Sequence, residues 1–462
     1  MRLIKSAQEA RSTILRRLPL DDRELPPTAG DLVRRVFGSE LGPAEVVDRI
    51  LRDVRERGDL AIRRYNEAID GLSTEAAKLP LEVSHEEIEK ARSEVDGSLV
   101  EALTFAAGRI RAFHEQQLAH SLKSFQDGGV GQLVRPLARA GFYVPGTAAI
   151  YPSTVLMSVI PARVAGVADV IMTTPVAADG AVSPLKLVAA AIAGVDRIFR
   201  AGGVHGIAAM AYGTETIPRV DKICGPGNIF VTLAKKKLFG EVGIDGVFGP
   251  SETIVIADAA ANPALVAADL LAGAEHDELA TAVLLTDSAR LAGEVSKAVE
   301  EGLSSLNRAA IARQSIESRG GIVIVESIKV AIELANEFAP EHLCLHLANA
   351  EEAMQHARNA GCVFVGEHSA ESIGDYTAGP SHVMPTGGSA IYASPLGVQD
   401  FLKIMSVVNL DQEAVLKIGP PAAAIAGAEG LTGHAAAIES RLNRVSAASS
   451  DLPSGARSAE RT

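Results

Sequence analysis

Short strand-like segments alternate with helical segments from residue 140 to residue 365, and this alternation limits the possible folds more than any other feature. Alternation of this kind is typical of an open, mostly parallel sheet with helices packed on it. The predicted strands are 140–145, 167–175, 196–201, 252–258, 281–286, 321–325 and 361–365. The predicted helices are 153–165, 184–193, one that opens after Gly202-Gly203, 263–274 and 328–338. We therefore predict an α/β fold.

The flanking regions favour helix. Apolar residues recur at spacings of three and four from Val46 to Val54, and Ser84 to Glu87 fits an N-terminal capping box. Residues 1–37 are predicted to form a short helix followed by a Pro-rich connector. From about residue 397 the pattern returns to helix, and the tail from about residue 446 is predicted to be disordered.

Composition excludes several classes of partner. The net charge is −13 with no long basic tract, which disfavours binding to nucleic acid or to an anionic membrane. No apolar run approaches the ~18–20 residues of a membrane span. The three cysteines, Cys224, Cys344 and Cys362, show no paired spacing. Unpaired cysteines and the absence of a secretory signal predict a cytoplasmic protein.

Three Gly- and Pro-flanked segments carry the residues suited to chemistry. They are Phe338–Leu343 with Glu341-His342, Gly374–His382 with Asp375, and Gly430–His434. Adjacent Glu and His side chains can divide acid–base work because their reference pKa values lie on either side of mildly acidic pH. Imidazoles and carboxylates from separate loops also form zinc sites. These residues indicate an enzyme, and either an oxidoreductase or a zinc hydrolase would fit them.

Two glycine-rich turns could approach a phosphate. They are Gly202-Gly203 and the run from Gly225 to Asn228. Neither forms the Gly-x-Gly-x-x-Gly pattern of a dinucleotide-binding turn, and turns of this kind in α/β folds are usually only turns. The sequence leaves both interpretations open.

Ten ordered blocks resemble one known family, histidinol dehydrogenase, from roughly residue 40 to residue 445. The blocks are Tyr143–Gly146, Pro152–Met157, Gly213–Pro218, Val220–Asn228, Ile244-Asp245, Gly249–Glu252, Ala274–Asp277, Ala339–Leu343, Gly374-Asp375 and Leu431-Thr432. The resemblance implies a zinc-dependent enzyme that oxidises L-histidinol to L-histidine with two NAD molecules in succession. It implies that His342 is the base for alcohol oxidation and that Glu341 activates water for the aldehyde step.

The resemblance also implies binding residues. It assigns zinc to His276, Asp375 and His434. It assigns substrate contacts to Ser251, His342, Asp375, His382, Glu429 and His434, and cofactor contacts to Tyr143, His205 and Asn228.

The sequence departs from the family at two site positions. Gly273 stands where the family has a glutamine ligand to zinc, so that a water or a neighbour such as Glu275 would have to supply the missing donor. His205 stands where the family commonly has a glutamine near the cofactor. These departures keep open a related dehydrogenase of another amino alcohol or diol, and a catalytically silent homologue.

The family's fold implies two Rossmann-like domains, one inserted in the other. The predicted limits are 1–37 for an N-terminal segment, 38–142 with 251–396 for the first domain, 143–250 for the second, 397–445 for a C-terminal helical segment and 446–462 for the tail. The resemblance further implies a homodimer in which Glu429 and His434 complete the neighbour's site on a small-molecule substrate.

Overall fold

A computed structural model describes residues 1–17, 27–146 and 150–450. These residues form two compact units. The first comprises residues 1–120 and 136–401, and the second comprises 121–135 with the chain from 402 onward.

The strands form three sheets. In chain order the strands are β1 (Arg2–Ile4), β2 (Phe125–Asp127), β3 (Val130–Pro136), β4 (Arg139–Tyr143), β5 (Asp169–Thr174), β6 (Arg197–Arg200), β7 (Lys222–Cys224), β8 (Gly243–Ile244), β9 (Glu252–Ala257), β10 (Thr281–Thr286), β11 (Gly321–Ile324), β12 (His342–His346), β13 (Cys362–Val365) and β14 (Leu402–Val408).

The α-helices connect and flank these strands. They are α1 (Ala7–Ser12), α2 (Pro27–Phe37), α3 (Pro43–Arg57), α4 (Asp59–Ala68), α5 (His85–Glu94), α6 (Gly97–Ala119), α7 (Pro152–Ala165), α8 (Pro184–Ala193), α9 (Gly203–Tyr212), α10 (Ile229–Leu238), α11 (Pro263–Ala274), α12 (Ala289–Leu303), α13 (Ala309–Arg319), α14 (Ile328–Phe338), α15 (Ala350–Met354), α16 (Glu371–Ile373), α17 (Gln412–Ala428) and α18 (Thr432–Ser450). A π-helical turn, Gly374–Ala378, follows α16 directly.

The five-stranded sheet has the order β6-β5-β4-β7-β8, with every pair parallel. The chain first moves outward from β4 to β5 and β6, and then returns to place β7 on the other side of β4. The direction of winding therefore reverses between β4 and β7. In open α/β sheets, ligands bind at the carboxyl ends of the strands on either side of such a reversal.

The six-stranded sheet repeats this order. Its strands run β1-β11-β10-β9-β12-β13, again all parallel, and the winding reverses between β9 and β12. Strands β9, β10 and β12 are buried along their whole length. Their near-continuous apolar sequences match this position, because helices cover both faces of a parallel sheet. The parallel α/β fold expected from the alternation is confirmed.

The second unit was predicted poorly. The C-terminal region was expected to be helical from residue 397, but β14 forms first and joins β3 and β2 in a small sheet. The sequence of β14 is largely apolar, but its residues are mostly exposed, unlike those of a central strand. Helix α18 also continues through residues 446–450, which were assigned to the disordered tail.

Some of the predictions for the N-terminal strand, the helix caps and the chain's ends agree with the structure and others do not. Strand β1 was not predicted, although it pairs with β11 at the edge of the six-stranded sheet. The capping box at Ser84 and Glu87 is confirmed. The Pro-rich connector around residues 18–26 and the tail beyond residue 450 lie outside the described residues, and the domain limits stay a prediction. Within the described ranges, no helix is both long and apolar enough to cross a membrane.

Candidate active site

The three predicted cofactor residues lie at the carboxyl edge of the five-stranded sheet. Tyr143 is the last residue of β4, and Asn228 follows β7 on the other side of the winding reversal. The Tyr143 hydroxyl accepts a hydrogen bond of 3.3 Å from the Gly203 N–H at the start of α9. The exposed Asn228 caps α10 by accepting from Phe230 N–H and Val231 N–H, which leaves its amide nitrogen free to contact a ligand.

His205 lies at the same edge but is completely buried. Its Nε2 is 2.8 Å from Asn66 Oδ1 and 3.1 Å from the Gly202 nitrogen. Asn66 in turn donates to the carbonyl oxygen of Arg200 at 2.8 Å. His205 thus ties the Gly202-Gly203 turn to α4, so that its contact with a cofactor would be indirect.

A buried ion pair holds the second glycine-rich turn. Lys235 and Asp245 are both almost fully buried and bond to each other. Lys235 also donates to the Gly225 carbonyl at 2.9 Å, and Asp245 accepts from the Gly225 N–H at 2.6 Å. Both backbone groups of Gly225 are thereby fixed. The turn before Asn228 is therefore rigid.

Glu341 and His342 lie at the amino edge of the six-stranded sheet. His342 is the first residue of β12, in register with Thr253 on β9 and Cys362 on β13. Helix α14 ends at Ala339, whose φ of 51° is the single positive value for a non-glycine residue in the described ranges. This left-handed residue redirects the chain from the helix into Pro340 and β12. Glu341 is 7% exposed and His342 is 3% exposed.

Three carboxylates surround the His342 ring. Its Nδ1 lies 3.4 Å from Glu371 Oε1 and 3.9 Å from Glu341 Oε2, while its Nε2 lies 3.7 Å from Asp375 Oδ1. None of these distances is a formed hydrogen bond, and both ring nitrogens lack a hydrogen-bond partner among the described residues. The ring is therefore held by charge and by packing against Phe364, and its two nitrogens are not engaged by hydrogen bonds among the described residues.

The same burial and charges shift the ionisation of the pair. Burial lowers the pKa of His342, but the carboxylates, Glu371 foremost, outweigh it and raise that pKa to about 10. Burial raises the pKa of Glu341 to about 7, against the opposing charge of His342. Glu341 also accepts from the Glu252 N–H at 3.2 Å. A carboxylate that titrates near neutral pH is suited to exchange protons with substrate or water.

A group able to hold a cation adjoins the pair. His276, Glu371 and Asp375 each offer a ligand atom, and these atoms lie within 4.8 Å of one another. His276 follows the end of α11, while Glu371 and Asp375 come from α16 and the π-helical turn after it. One imidazole and two carboxylates form a donor set that suits zinc. The predicted ligands His276 and Asp375 are thus brought together.

His382 connects the two sheet edges. Its Nδ1 donates to the carbonyl oxygen of Asp375 at 2.9 Å, and its Nε2 lies 3.3 Å from the hydroxyl of Thr154 near the start of α7. Burial lowers the pKa of His382, which favours the neutral ring that these two bonds require. Helix α7 follows β4, so that this contact links a segment after the five-stranded sheet's β4 to the turn that carries Asp375. Ser251 directly precedes β9.

Two predicted site residues belong to the second unit. Glu429 follows the last residue of α17, and His434 lies in the first turn of α18. Both side chains are exposed. Their assignment to the site stays a prediction.

Comparison with known proteins identifies the family. The sequence profile described as histidinol dehydrogenase matches residues 39–442. The chain belongs to the histidinol dehydrogenase family. It is 46% identical over 446 residues to histidinol dehydrogenase of Dehalococcoides mccartyi strain CBDB1, covering 96% of this chain and 100% of that protein. It is 49% identical over 400 residues to histidinol dehydrogenase of Aquifex aeolicus, covering 86% of this chain and 92% of that protein.

A solved structure agrees with this assignment. The crystal structure of histidinol dehydrogenase from Elizabethkingia anophelis superposes with a TM-score of 0.86 at 33% sequence identity. The match covers 96% of this chain and 99% of that chain. The family resemblance derived from the ordered sequence blocks is therefore confirmed, and the chain is an enzyme of this family.

Sequence reasoning missed Glu371 and Thr253, although both lie beside residues matched to the histidinol dehydrogenase family. Thr253 donates to Glu371 Oε2 at 2.9 Å. One signal was available, because Glu371 and Asp375 are four residues apart and side chains at that spacing share one face of a helix. No sequence pattern could have located Thr253, since its role depends on the register of β9 against β12.

A separate groove is lined by other residues. A groove of about 740 Å³ lies between α14 and α15 and is bordered by Asp258, Asn336 and Leu347. The Asp258 carboxylate is already engaged by the N–H groups of Ala260 and Ala348. The groove contains none of the acid–base residues. Its size alone gives no reason to place the chemistry of a histidinol dehydrogenase there.

Proposed function

We propose that this protein oxidises L-histidinol to L-histidine through the aldehyde, in two successive hydride transfers to NAD. The observation that carries the proposal is the buried Glu341–His342 pair beside the His276, Glu371 and Asp375 group. Two successive oxidations need two proton acceptors, and the amino edge of the six-stranded sheet supplies both. The enzyme family supports the same reaction.

His342 takes the proton of the alcohol in the first oxidation. Its Nδ1 faces Glu371, and a proton held on that nitrogen leaves the lone pair on Nε2, which faces Asp375. An alcohol is a weak acid, and loss of hydride from its carbon therefore requires a base within hydrogen-bond reach. The burial of His342 excludes water, which would otherwise compete for that position.

Glu341 serves the second oxidation. The aldehyde must first add water to form its hydrate, and a base must remove a proton from that water. The pKa of Glu341, raised by burial to about 7, leaves a large fraction of the carboxylate ionised at neutral pH and still basic. The neighbouring position of Glu341 and His342 lets one bound substrate meet both bases.

Zinc fits the donors present, and we propose that His276 and Asp375 hold it, with His434 from a second copy of the chain. A divalent cation at this position would polarise the substrate hydroxyl and offset the carboxylate charge that keeps His342 protonated. The carboxylates raise the pKa of His342, and a nearby cation would lower it again, towards the neutral ring that a base needs.

We propose that NAD binds at the carboxyl edge of the five-stranded sheet, where it would accept the hydride. Tyr143 and Asn228 stand on either side of the winding reversal and support this position. His205 takes part by holding the Gly202-Gly203 turn at the N-terminus of α9, where phosphate groups commonly bind.

The substrate contacts are also proposals. Ser251 directly precedes β9, and His382 contacts Thr154 and the carbonyl of Asp375; both positions support contact with a substrate bound beside Glu341 and His342. Glu429 is suited to the substrate's ammonium group, because a carboxylate and an ammonium pair by charge-assisted hydrogen bonds. As with His434, it would come from a second copy.

A homodimer follows from this arrangement. The second unit exposes several large apolar side chains, which a soluble chain seldom leaves uncovered together. They are Phe125, Val130, Ile404, Met405, Val408, Leu416, Ile418, Ile425 and Leu431. A second copy of the chain that covers them would bring its Glu429 and His434 to the site. The free Cys224, Cys344 and Cys362 support the proposed cytoplasmic location.

The experiment that tests the function is a yield measurement. Histidinol and excess NAD are mixed with purified protein, and NADH and histidine are counted at completion. Two NADH per histidine are expected, with no product accumulating as aldehyde. A panel of other amino alcohols and diols serves as the comparison.

Faster turnover of any of these compounds would favour a related dehydrogenase, the alternative suggested by Gly273. Formation of product without NADH would indicate a hydrolase.

A further inference from the structure

Glu371 is the buried ionisable residue that the mechanism above does not use as a ligand. It begins α16 and is 1% exposed. Burying a carboxylate is costly unless partners compensate for the lost water. A carboxylate in this position is stabilised by hydrogen bonds and by neighbouring positive charge.

The two oxygens of Glu371 have different surroundings. Oε2 accepts from the Thr253 hydroxyl at 2.9 Å, which fixes the orientation of the carboxylate. Oε1 has no hydrogen-bond partner in any part of the chain that the structure describes, and His342 Nδ1 lies 3.4 Å away. Oε1 thus remains available, and Glu371 already belongs to the group formed with His276 and Asp375.

Gly273 offers no side-chain atom to a metal ion, so that another residue or a water must supply that ligand. A Cβ atom at this position would lie 2.9 Å from the Cβ of Thr253 and would overlap the Thr253 hydroxyl. A side chain at 273 could enter only if α11 or β9 shifted. The space beside Gly273 is therefore occupied by Thr253, and Thr253 uses its hydroxyl to hold Glu371.

We propose that Glu371 is a direct ligand of the divalent cation and supplies the donor that Gly273 lacks. The proposal rests on the proposed function, since it concerns the same metal. It deepens that function by assigning the remaining ligand to a residue of this chain.

Charge favours Glu371 in this role. Two carboxylates, from Glu371 and Asp375, balance the two charges of the cation, whereas a glutamine amide would leave one charge unbalanced. Carboxylate oxygen is also an ordinary zinc donor. Glu275, the other nearby carboxylate, terminates α11, is only partly buried and does not belong to the group of three.

A different role must be separated from this one. Glu371 could act only by orienting His342, since Oε1 is the oxygen that faces Nδ1. An orienting carboxylate would change turnover while leaving metal binding intact. Metal retention, measured apart from activity, distinguishes the two roles.

The first test compares Glu371→Gln with the matched control Glu275→Gln. Each variant is loaded with zinc and exposed to a chelator, and the zinc remaining per chain is followed with time. Glu371→Gln is expected to lose zinc roughly 10–100-fold faster than wild type, the scale on which metal sites respond to their supporting groups. Glu275→Gln is expected to match wild type.

The second test does not depend on Glu371 variants folding. Thr253→Val removes the hydroxyl that holds Glu371 but keeps the shape of the side chain, while Thr253→Ser keeps the hydroxyl. Faster zinc loss is expected in the valine variant only. Absorption spectra of the cobalt(II)-loaded proteins should differ from wild type in Glu371→Gln and in Thr253→Val, because both alter the ligand field.

Retention of zinc equal to wild type in Glu371→Gln and Thr253→Val, with unchanged cobalt spectra, would overturn the proposal even if turnover fell. In that case histidinol oxidation by the wild-type protein would still stand. Wild-type protein that oxidises histidinol but binds no zinc would refute the proposed metal together with this ligand. A wild-type protein that binds zinc but oxidises no alcohol would refute the function and leave the ligand assignment testable by the same retention assay.

Discussion

The two large sheets have the same strand order but carry their candidate functional residues at opposite ends. In the five-stranded sheet, Tyr143 and Asn228 follow the carboxyl ends of β4 and β7, the position expected for a ligand in this topology. In the six-stranded sheet, Glu341 and His342 stand at the amino end of β12. Shared topology therefore does not dictate a shared site.

The opposite ends of β12 show why. At its carboxyl end, His346 is buried and its Nε2 bonds to Asp269 Oδ2 at 2.8 Å. Asp258 bridges two neighbouring loops there through the Ala260 and Ala348 N–H groups. At this end one nitrogen of His346 is bonded and the other, Nδ1, lacks a partner among the described residues. At the amino end both nitrogens of His342 and Glu371 Oε1 lack one. A cluster of unsatisfied polar groups, more than topology, therefore distinguishes the amino end as the candidate site.

The largest difference between the two ends of β12 is expected when His342 and His346 are each replaced by asparagine. His342→Asn is expected to slow alcohol oxidation by roughly two to four orders of magnitude, the range for a positioned base. His346→Asn is the matched control on the same strand. It should change turnover only a few-fold and should instead lower the melting temperature, because it removes the bond to Asp269. Steady-state rates and melting curves of both variants provide the measurement. Similar turnover losses in the two variants would remove the distinction between the ends.

Glu341→Gln tests whether the amino edge holds two separate bases. Oxidation of directly supplied aldehyde should fall by roughly 100-fold or more, while the first hydride transfer from histidinol should fall less. A single-turnover experiment with histidinol isolates that first transfer. Equal losses in both steps would mean that Glu341 supports His342 and has no base role of its own.

At the carboxyl edge of the five-stranded sheet one buried ionisable group is the amine of Lys186, whereas at the amino edge of the six-stranded sheet the buried groups include carboxylates. Its ammonium donates to the Gly146 carbonyl at 2.8 Å and to the Thr174 hydroxyl at 2.9 Å. Burial lowers the pKa of Lys186 to about 8, below its unfolded value. Between the two pKa values the unfolded chain binds more protons, so that stability should rise as pH increases from about 8 towards 10.

The free energy of unfolding should rise by about 3 kcal/mol at most, as given by the difference between the pKa values of Lys186 in the unfolded and folded chain. Denaturant unfolding at several pH values measures it. Lys186→Met should flatten the dependence, whereas Lys329→Met, which removes an exposed lysine, should leave it unchanged. An unaltered slope in Lys186→Met would show that other groups cause the pH dependence.

The smallest effect concerns the indirect role of His205. His205→Gln keeps a polar side chain that can hydrogen-bond to Asn66 or to the Gly202 N–H, and the KM for NAD should therefore stay within roughly fivefold of wild type, below the ~1.4 kcal/mol of a tenfold change. His205→Leu leaves the Asn66 oxygen unpaired and should cost about 1–3 kcal/mol of stability while raising that KM. A glutamine variant with a much larger KM would indicate direct contact between His205 and the cofactor.

The sequence predicted seven strands of the two parallel sheets, because each is a short and largely apolar run; they are β4, β5, β6, β9, β10, β11 and β13. Helices 184–193, 263–274 and 328–338 were predicted at their observed limits. The sequence analysis missed β1, β7 and β8, which are too short to show a pattern, and β12, which begins and ends with histidine. It also missed β14, whose sequence is largely apolar although its residues are mostly exposed.

Some residues of the candidate site could be predicted from the sequence and others could not. Glu341, His342 and Asp375 lie in distinctive Gly- and Pro-flanked motifs, and the family resemblance indicated them. The register of β9 and β12 sets Thr253 beside His342, and the fold brings Glu371 of α16 to the Thr253 hydroxyl; neither contact is visible in the sequence. The burial of His205 was equally hidden, since it depends on α4 packing beside α9.

Ala339 adds a consequence for how the site is prepared. A glycine would adopt its positive φ more easily, but it would also give the chain leading to the two bases more freedom before folding. Alanine accepts a small strain and narrows the paths available to Pro340 and Glu341. Alanine at this position therefore favours the folded state by limiting the unfolded one, at the cost of a small backbone strain beside the two bases.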